Sequence, residues 1–240
     1  MNKAVQTLLC SGRRILKACG AAAGFVAIVV LLLSFKTPSA RAGEGPDDES
    51  SKIRIGYAIA PVPLNVEGKN RALVGLGSYI VNAQADCNGC HSAGPQTEYT
   101  PTGNPYLLSP PFSGKEKINP ATYLGGGRDF GPYPGLAHLY SRNLTPDKTG
   151  LAAGGMTYEE FHTVLRTGKD YDNLHPTCTG APNGACVPPP FNGALLQVMP
   201  WPVQQHMTDR DIRAIYEYLS SIPCINTVVA GAPYLENECP

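Results

Sequence analysis

The sequence predicts an all-α protein in which a few helices are separated by long, ordered loops. Of the 240 residues, 26 are glycine and 23 are proline, and so high a content of these two residues favours loops over a regular sheet. Hydrophobic residues make up 42% of the chain, which makes a packed core feasible. Apolar side chains recur at helical spacing in segments that begin and end the body of the chain.

The first helix is predicted over about residues 69–86. Apolar side chains recur there at three- and four-residue intervals, namely Leu73, Leu76, Ile80 and Ala83. Gly75 and Gly77 would weaken an isolated helix. We interpret them as the place where another helix crosses closely, because residues without side chains let two backbones approach.

Two later segments are also predicted to be helical. Thr157 and Glu160 have the spacing of a capping box, and Gly168 follows the helix that they begin. The last helix is predicted over about residues 209–221, with Thr208 as its N-cap. Its apolar face consists of Ile212, Ile215, Tyr216 and Leu219. This face is the expected partner of the two glycines in the first helix.

The first 42 residues differ in charge from the rest of the chain. They contain six basic residues and no acidic one, whereas 13 basic and all 19 acidic residues follow Ala42 and give the remainder a net charge of −6. An acidic body is a poor nucleic-acid binder, because phosphate binding needs clustered Lys and Arg.

The basic N-terminus is predicted to be a targeting segment. Basic residues precede an apolar run over residues 18–35, and Ala40-Arg41-Ala42 fits the small-x-small rule for signal peptidase. The apolar run is long for a signal peptide and near the lower limit for a membrane span. Residues 1–42 are therefore expected to be either a cleaved signal peptide or an N-terminal membrane anchor, and the body is expected outside the cytoplasm.

Six cysteines lie in the exported body, where an oxidising compartment favours disulfides. Four of them allow three pairings. We predict that Cys178 pairs with Cys186 and Cys224 with Cys239, because the shortest loops cost the least entropy to close. Neither disulfide is given a chemical role.

The remaining two cysteines stand in the stretch ADCNGCHSAG, as Cys87 and Cys90, with His91 directly behind them. A thioredoxin-type dithiol needs a βαβ pattern, and a helix precedes this pair instead. A zinc site needs a second ligand pair, which the sequence lacks. The spacing is that of the c-type haem attachment motif: two thiols, with Asn88 and Gly89 as spacers, add to the haem vinyl groups, and the adjacent imidazole faces the iron.

A haem of this kind needs a second axial ligand. Met199 is the first choice, because Pro200 holds its backbone extended and can aim the thioether. Met207 is the second choice, since it precedes the N-cap Thr208 and has an alternative role in packing onto the last helix. A histidine, either His138 or His206, is the third.

The chain resembles the bacterial periplasmic mono-haem cytochromes c of class I type, above all those that serve as electron-accepting subunits of periplasmic dehydrogenases. The matching stretches are RALVGLGSYIVNAQADCNGCH, SRNLTPDKTGLAAGGMTYEEFHTVLRTGK and VMPWPVQQHMTDRDIRAIYEYLSSIP. The resemblance implies the cytochrome c fold, with a few helices around one haem, and it implies that Met199 is the distal ligand. Two cysteine-bearing segments depart from the family pattern: the one before Met199, and the tail 224–240.

The resemblance also implies a function and a domain layout. We expect an electron carrier rather than an enzyme, with a periplasmic dehydrogenase as donor and a terminal oxidase or another cytochrome as acceptor. A flexible segment is expected over residues 43–68, the cytochrome domain over 69–223 and a tail over 224–240. A peroxidase-like haem enzyme with a displaceable sixth ligand, and a thiol-disulfide oxidoreductase, remain as alternatives. Arg128, Arg142 and Asn143 are candidates for binding haem propionates, and Trp201 for packing on the haem.

Overall fold

The computed structural model describes residues 48–107, 116–133, 137–181 and 185–240. Its helices are α1 (Glu49–Ile59), α2 (Arg71–Tyr79), α3 (Cys87–His91), α4 (Pro95–Glu98), α5 (Ala152–Gly155), α6 (Tyr158–Thr167), α7 (Trp201–Gln204) and α8 (Asp209–Leu219). A π-helical turn spans Ile80–Gln84, a 3₁₀ turn spans Pro233–Leu235, and two strands are β1 (Asp129–Tyr133) and β2 (Ala137–Tyr140). The predicted targeting segment lies outside the described residues. No helix within the described ranges is long and apolar enough to cross a membrane.

Helix α2 packs on both α1 and α8 and forms the centre of the core. A Cβ placed on Gly77 would lie 1.9 Å from the carbonyl oxygen of Ala214, so α2 and α8 meet backbone to backbone. This confirms the predicted helix crossing for Gly77. Gly75 faces α1 instead, where a Cβ would lie 2.8 Å from the carbonyl oxygen of Ile53.

Helix α1 lies in the segment that we predicted to be flexible. The Asp48 carboxylate caps it by accepting a hydrogen bond of 2.7 Å from the Ser51 N–H. Gly56 is its buried contact with α2, since a Cβ there would lie 1.9 Å from the Gly75 carbonyl oxygen. The helix has little amphipathic pattern of its own, and glycine-to-glycine packing leaves no apolar periodicity for a sequence-based prediction to detect.

The ends of the predicted helices follow their capping residues. Helix α2 begins at Arg71 because the Asn70 side chain accepts hydrogen bonds from the free N–H groups of Ala72 and Leu73. The regular α-helix ends at Tyr79, and the π-helical turn carries the chain on to Gln84. The capping box of α6 and the left-handed Gly168 that ends it are both present, as predicted.

Strands β1 and β2 form an antiparallel hairpin that the sequence did not predict. Asp129 pairs with Tyr140 and Pro132 pairs with His138, and the register shifts between these pairs. The glycine and proline within β1 are typical of loops, which explains why the strand was missed. Helices and long loops make up most of the rest of the described chain, and the cytochrome c fold stays a prediction.

The two predicted disulfides are confirmed. Cys178 bonds to Cys186, and Cys224 bonds to Cys239. The first closes a loop in the segment between α6 and α7. The second closes the C-terminal tail.

Candidate haem site

Helix α3 holds the cysteine–histidine motif in one short turn after a sharp change of chain direction. Asp86 has a left-handed backbone with φ of +45°. A Cβ on Gly89 would lie 2.6 Å from an Asp86 carboxylate oxygen, so a side chain at this position would have to displace the Asp86 carboxylate. Asn88 is buried, and its side-chain oxygen accepts a hydrogen bond of 2.9 Å from the Leu124 N–H. Both spacer residues of the motif therefore shape the turn.

The His91 ring is held in one orientation and one tautomer. Its Nδ1 lies 2.8 Å from the carbonyl oxygen of Arg142, which can only accept a hydrogen bond. Nδ1 therefore carries the proton, and Nε2 keeps its lone pair. Burial lowers the pKa of His91 below its ordinary value. The result is a neutral imidazole with one nitrogen available, which is the form that binds a metal.

His91 lines a large, mainly apolar cavity. The space between its walls is about 1120 Å³, counting the part open to solvent at its mouth. Its apolar walls include Phe130, Leu139, Leu144, Phe161, Val164, Leu165, Leu195 and Leu196. Helix α6, the β-hairpin and the loop before α7 thus surround the same space as the cysteine–histidine motif.

Met199 lines the same cavity as Cys90 and His91. The structure thereby brings the predicted proximal and distal candidates to one space, although more than 100 residues separate them in the sequence. Met207 packs against the core but lies outside the cavity lining. Met156, which directly follows α5, also lines the cavity, although it was not among the ranked choices for the distal ligand.

The segment that carries Met199 is held by Trp201. The indole Nε1–H donates a hydrogen bond of 3.1 Å to the Leu196 carbonyl oxygen. The ring lies directly on Gly168, where a Cβ would be 2.3 Å from the indole. Trp201 was predicted to pack on the haem; in the structure it packs on the residue that ends α6 and lies outside the cavity lining.

Cys87 and Cys90 are free thiols, whereas the other four cysteines in the described residues form disulfides. Burial, together with the nearby Asp86 carboxylate, raises the pKa of Cys87 to about 12. A thiol with so high a pKa is a poor nucleophile for disulfide exchange. Within the described ranges, no group of three or more His, Cys, Asp or Glu side chains forms a metal-ion cluster.

Of the three candidates for binding propionates, Arg142 lines the cavity. Its guanidinium is paired with Asp170 at 2.8 Å and with Asp172. Asn143 is buried, and its amide donates to two backbone carbonyls of the C-terminal tail. The Arg128 guanidinium donates to the carbonyl oxygen of Gly89.

The histidines considered as third-choice ligands lie on the surface. His138 is exposed on β2, where its ring is 2.9 Å from the Asp129 carboxylate. His206 is exposed after α7. His175 is a half-buried residue of the cavity wall. No local sequence pattern distinguishes it, because its position depends on how the loop before α7 folds back.

The donor set of the cavity fits a c-type haem. It comprises the neutral imidazole of His91, the thioether of Met199 and the free thiol of Cys90, with an apolar wall. Cys87, the other free thiol of the motif, packs against the core and is not part of the cavity lining. Cys87 and Cys90 would form the thioether bonds, and His91 and Met199 would be the axial ligands.

Comparisons with known proteins point the same way. The chain is 28% identical over 151 residues to the gluconate 2-dehydrogenase cytochrome c subunit of Pantoea cypripedii, a match to 62% of this chain and 23% of that protein. It is 27% identical over 168 residues to the cytochrome c subunit of the quinone alcohol dehydrogenase of Komagataeibacter europaeus, covering 69% of this chain and 24% of that protein. Over 150 residues it is 26% identical to the fructose dehydrogenase cytochrome subunit of Gluconobacter japonicus, covering 62% and 21%.

The matched part spans less than a quarter of the length of each of these relatives. No family model matches the chain, and no solved structure gives a significant match. The similarity confirms the predicted resemblance at the level of the cytochrome c subunits of dehydrogenases.

Proposed function

We propose that this protein is a periplasmic electron carrier that holds one covalent c-type haem. It accepts electrons from a partner dehydrogenase and passes them to the respiratory chain, through a terminal oxidase or another cytochrome. The observation that carries the proposal is the shared cavity. Cys90, His91 and Met199 line one apolar space, although Met199 lies more than 100 residues after His91 in the sequence. When bound, the haem supplies a one-electron redox centre.

Each residue of the site has a defined part in this proposal. The thiols of Cys87 and Cys90 would anchor the haem, and the His91 Nε2 and the Met199 thioether would bind its iron. A soft thioether favours the reduced iron and raises the reduction potential. The apolar wall formed by Phe161 and Leu165 excludes water, which keeps the reorganisation on electron transfer small.

The partner and the location follow from the relatives and the N-terminus. The relatives are the cytochrome subunits of gluconate, alcohol and fructose dehydrogenases, and we propose a dehydrogenase donor for this chain as well. The presequence pattern over residues 1–42 supports export to the periplasm, either as a soluble protein or tethered to the inner membrane through residues 18–35.

A covalent-haem stain of the denatured chain tests the cofactor. The wild-type protein, matured together with a cytochrome c assembly system, is expected to stain. A Cys87→Ala/Cys90→Ala variant is expected to leave the gel unstained, while the Cys178→Ser/Cys186→Ser control stains as wild type. An unstained wild-type band overturns the proposed function.

Three methionine variants test the distal ligand. Leucine conserves the volume of methionine but has no sulfur, so Met199→Leu is expected to give a high-spin haem that binds carbon monoxide when reduced. Met156→Leu and Met207→Leu are the controls and are expected to keep the low-spin spectrum. High-spin haem in Met156→Leu alone would move the ligand to Met156, and carbon monoxide binding by the wild type would favour the haem-enzyme alternative.

A further inference from the structure

We propose that the C-terminal tail closed by Cys224–Cys239 is a positioning element for the proximal histidine. This inference rests on the proposed function, since it assigns the tail a task at the ligand His91. The tail is one of the two segments that depart from the family pattern, and it lies against the loop of residues 141–146 that holds the His91 ring.

Asn143 connects the tail to this loop. It is buried, with 3% of its surface exposed. Its side-chain Nδ2 donates hydrogen bonds of 2.8 Å to the Ile225 carbonyl oxygen and 2.9 Å to the Leu235 carbonyl oxygen. One side chain of the loop thus binds the tail at two points, one near each end of the disulfide-closed segment.

A second set of bonds runs from the tail to the loop. The buried Asn237 donates from Nδ2 to the carbonyl oxygens of Thr145, at 3.0 Å, and Pro146, at 3.2 Å. The Ile225 N–H donates to the Thr145 hydroxyl at 3.0 Å. Residues near the beginning and near the end of the tail therefore hold residues 143–146 in place.

The residue before Asn143 carries the acceptor for His91. The Arg142 carbonyl oxygen lies 2.8 Å from His91 Nδ1. Tyr234 of the tail lies under the Arg142 guanidinium, with 5.0 Å between the ring centroid and the guanidinium carbon. A displacement of the tail therefore acts on Arg142 in two ways: through the adjacent Asn143, and through the contact of Tyr234 with the Arg142 guanidinium.

The space around this carbonyl is too tight for it to move independently. A Cβ on Gly126 would lie 2.6 Å from the Arg142 carbonyl, and the Gly126 N–H donates to the His91 carbonyl oxygen at 2.7 Å. The adjoining Gly125 carbonyl oxygen accepts a hydrogen bond of 2.6 Å from the Thr227 hydroxyl, which belongs to the tail. The tail therefore holds both loops that bind His91, one through its ring and the other through its backbone carbonyl.

The other disulfide serves as the matched control. Cys178–Cys186 closes a loop whose backbone bonds include those from Cys178 N–H to Val187 and from Val187 N–H to Pro176, within its own segment. Removing it opens a loop of the same chain without touching the contacts of Asn143.

The test is the protection of the His91 Nδ1 proton in the full-length protein, followed by NMR hydrogen exchange on ¹⁵N-histidine-labelled samples. Cys224→Ser/Cys239→Ser is expected to accelerate its exchange on the order of tenfold or more, because the tail opens locally more often. Cys178→Ser/Cys186→Ser is expected to exchange at the wild-type rate. Asn143→Asp, which removes the amide donor at nearly constant shape, is expected to act like the tail variant.

Unchanged exchange in both the tail variant and Asn143→Asp would overturn the proposal. So would equal acceleration in the control, because a general loss of stability would then explain the effect. The ¹⁵N shift of His91 reports its tautomer whether or not haem is bound, whereas the covalent-haem stain reports the cofactor. Failure of the proposed function and failure of the tail proposal are therefore seen in different measurements.

Discussion

The two sides of the cavity are built on different physical principles. On the proximal side, His91 is fixed by a directional hydrogen bond to Arg142, and buried hydrogen bonds from Asn143 fix the next residue. On the distal side, Met199 has a side chain that makes no strong hydrogen bond, and its neighbour Val198 is 38% exposed. That side is held by the packing of Trp201 on Gly168.

The difference indicates which side of the cavity is displaced first when the protein is perturbed. Directional bonds between buried groups resist displacement of the His91 ring as long as the tail stays bound to the loop, because each lost bond would leave an unpaired polar group. A packed thioether has no such constraint and follows the loop that carries it. We expect perturbations of the distal side to change the iron coordination before they unfold the protein.

The largest effect is expected from a change outside the cavity, at the helix crossing that holds the core together. Gly77→Ala places a methyl group 1.9 Å from the Ala214 carbonyl oxygen at the α2–α8 crossing. Since the clash is with backbone, we expect a loss on the order of 3 kcal/mol of stability or more. Denaturant unfolding measures it. Gly180→Ala is the control, because no atom of the described residues lies within 4 Å of a Cβ there. Equal stability of the two variants would contradict the crossing.

The next effect is expected on the distal side alone. Gly168→Ala forces a left-handed backbone on a residue with φ of +71° and drives its Cβ into the Trp201 indole. We expect a loss of about 2 kcal/mol from strain and clash, with the haem becoming high-spin while His91 Nδ1 stays protected. Thermal unfolding measures the loss of stability, absorption spectra report the spin state, and NMR hydrogen exchange reports the protection of His91 Nδ1.

Gly150→Ala separates strain from clash in that experiment. Gly150 has φ of +81° and nothing within 4 Å of a Cβ, so it adds the strain without the contact with the indole. A high-spin haem in Gly150→Ala would show that strain in the backbone, rather than the position of Trp201, controls the Met199 segment.

A smaller effect is expected at the N-terminus of α6, the helix that contributes to the cavity wall. Thr157 caps α6, whose Phe161, Val164 and Leu165 line the cavity. Thr157→Ala removes the cap and is expected to cost about 1 kcal/mol, with the low-spin spectrum retained. Thermal unfolding gives the stability. The control is Thr157→Ser, which keeps the hydroxyl, and a loss as large in that variant would argue against capping as the cause.

The smallest effect is a pH dependence at the same cap. Hydrogen bonds from the Thr157 backbone and hydroxyl lower the pKa of Glu160. A carboxylate with a lowered pKa in the folded state stabilises the protein above its unfolded pKa, and this stabilisation disappears as the pH falls through the folded pKa. Glu160→Gln keeps the capping-box geometry without the charge. Its melting temperature is expected to lie below wild type at neutral pH and to converge with it in acid; a pH-independent gap would contradict the assignment.

Local patterns predicted the local features well. The capping box at Thr157, the Gly168 that ends α6, the N-cap Thr208 and the two disulfides depend on residues close together in the sequence. The predictions that failed or were missing depend on distant contacts. Helix α1 is packed through glycine, the hairpin carries glycine and proline, and Trp201 rests on a residue more than 30 positions away.

The sequence by itself determined which donor groups this protein can offer to a cofactor. The spacing of Cys87, Cys90 and His91 and the methionine before a proline define a donor set, because covalent attachment and ligation depend on residue type and local spacing. Only the tertiary structure decided that Met199 rather than Met207 lines the cavity, that Met156 and His175 join it, and that the tail holds the loop behind His91. These facts depend on the path of long loops. Packing between segments that are distant in the sequence determines that path.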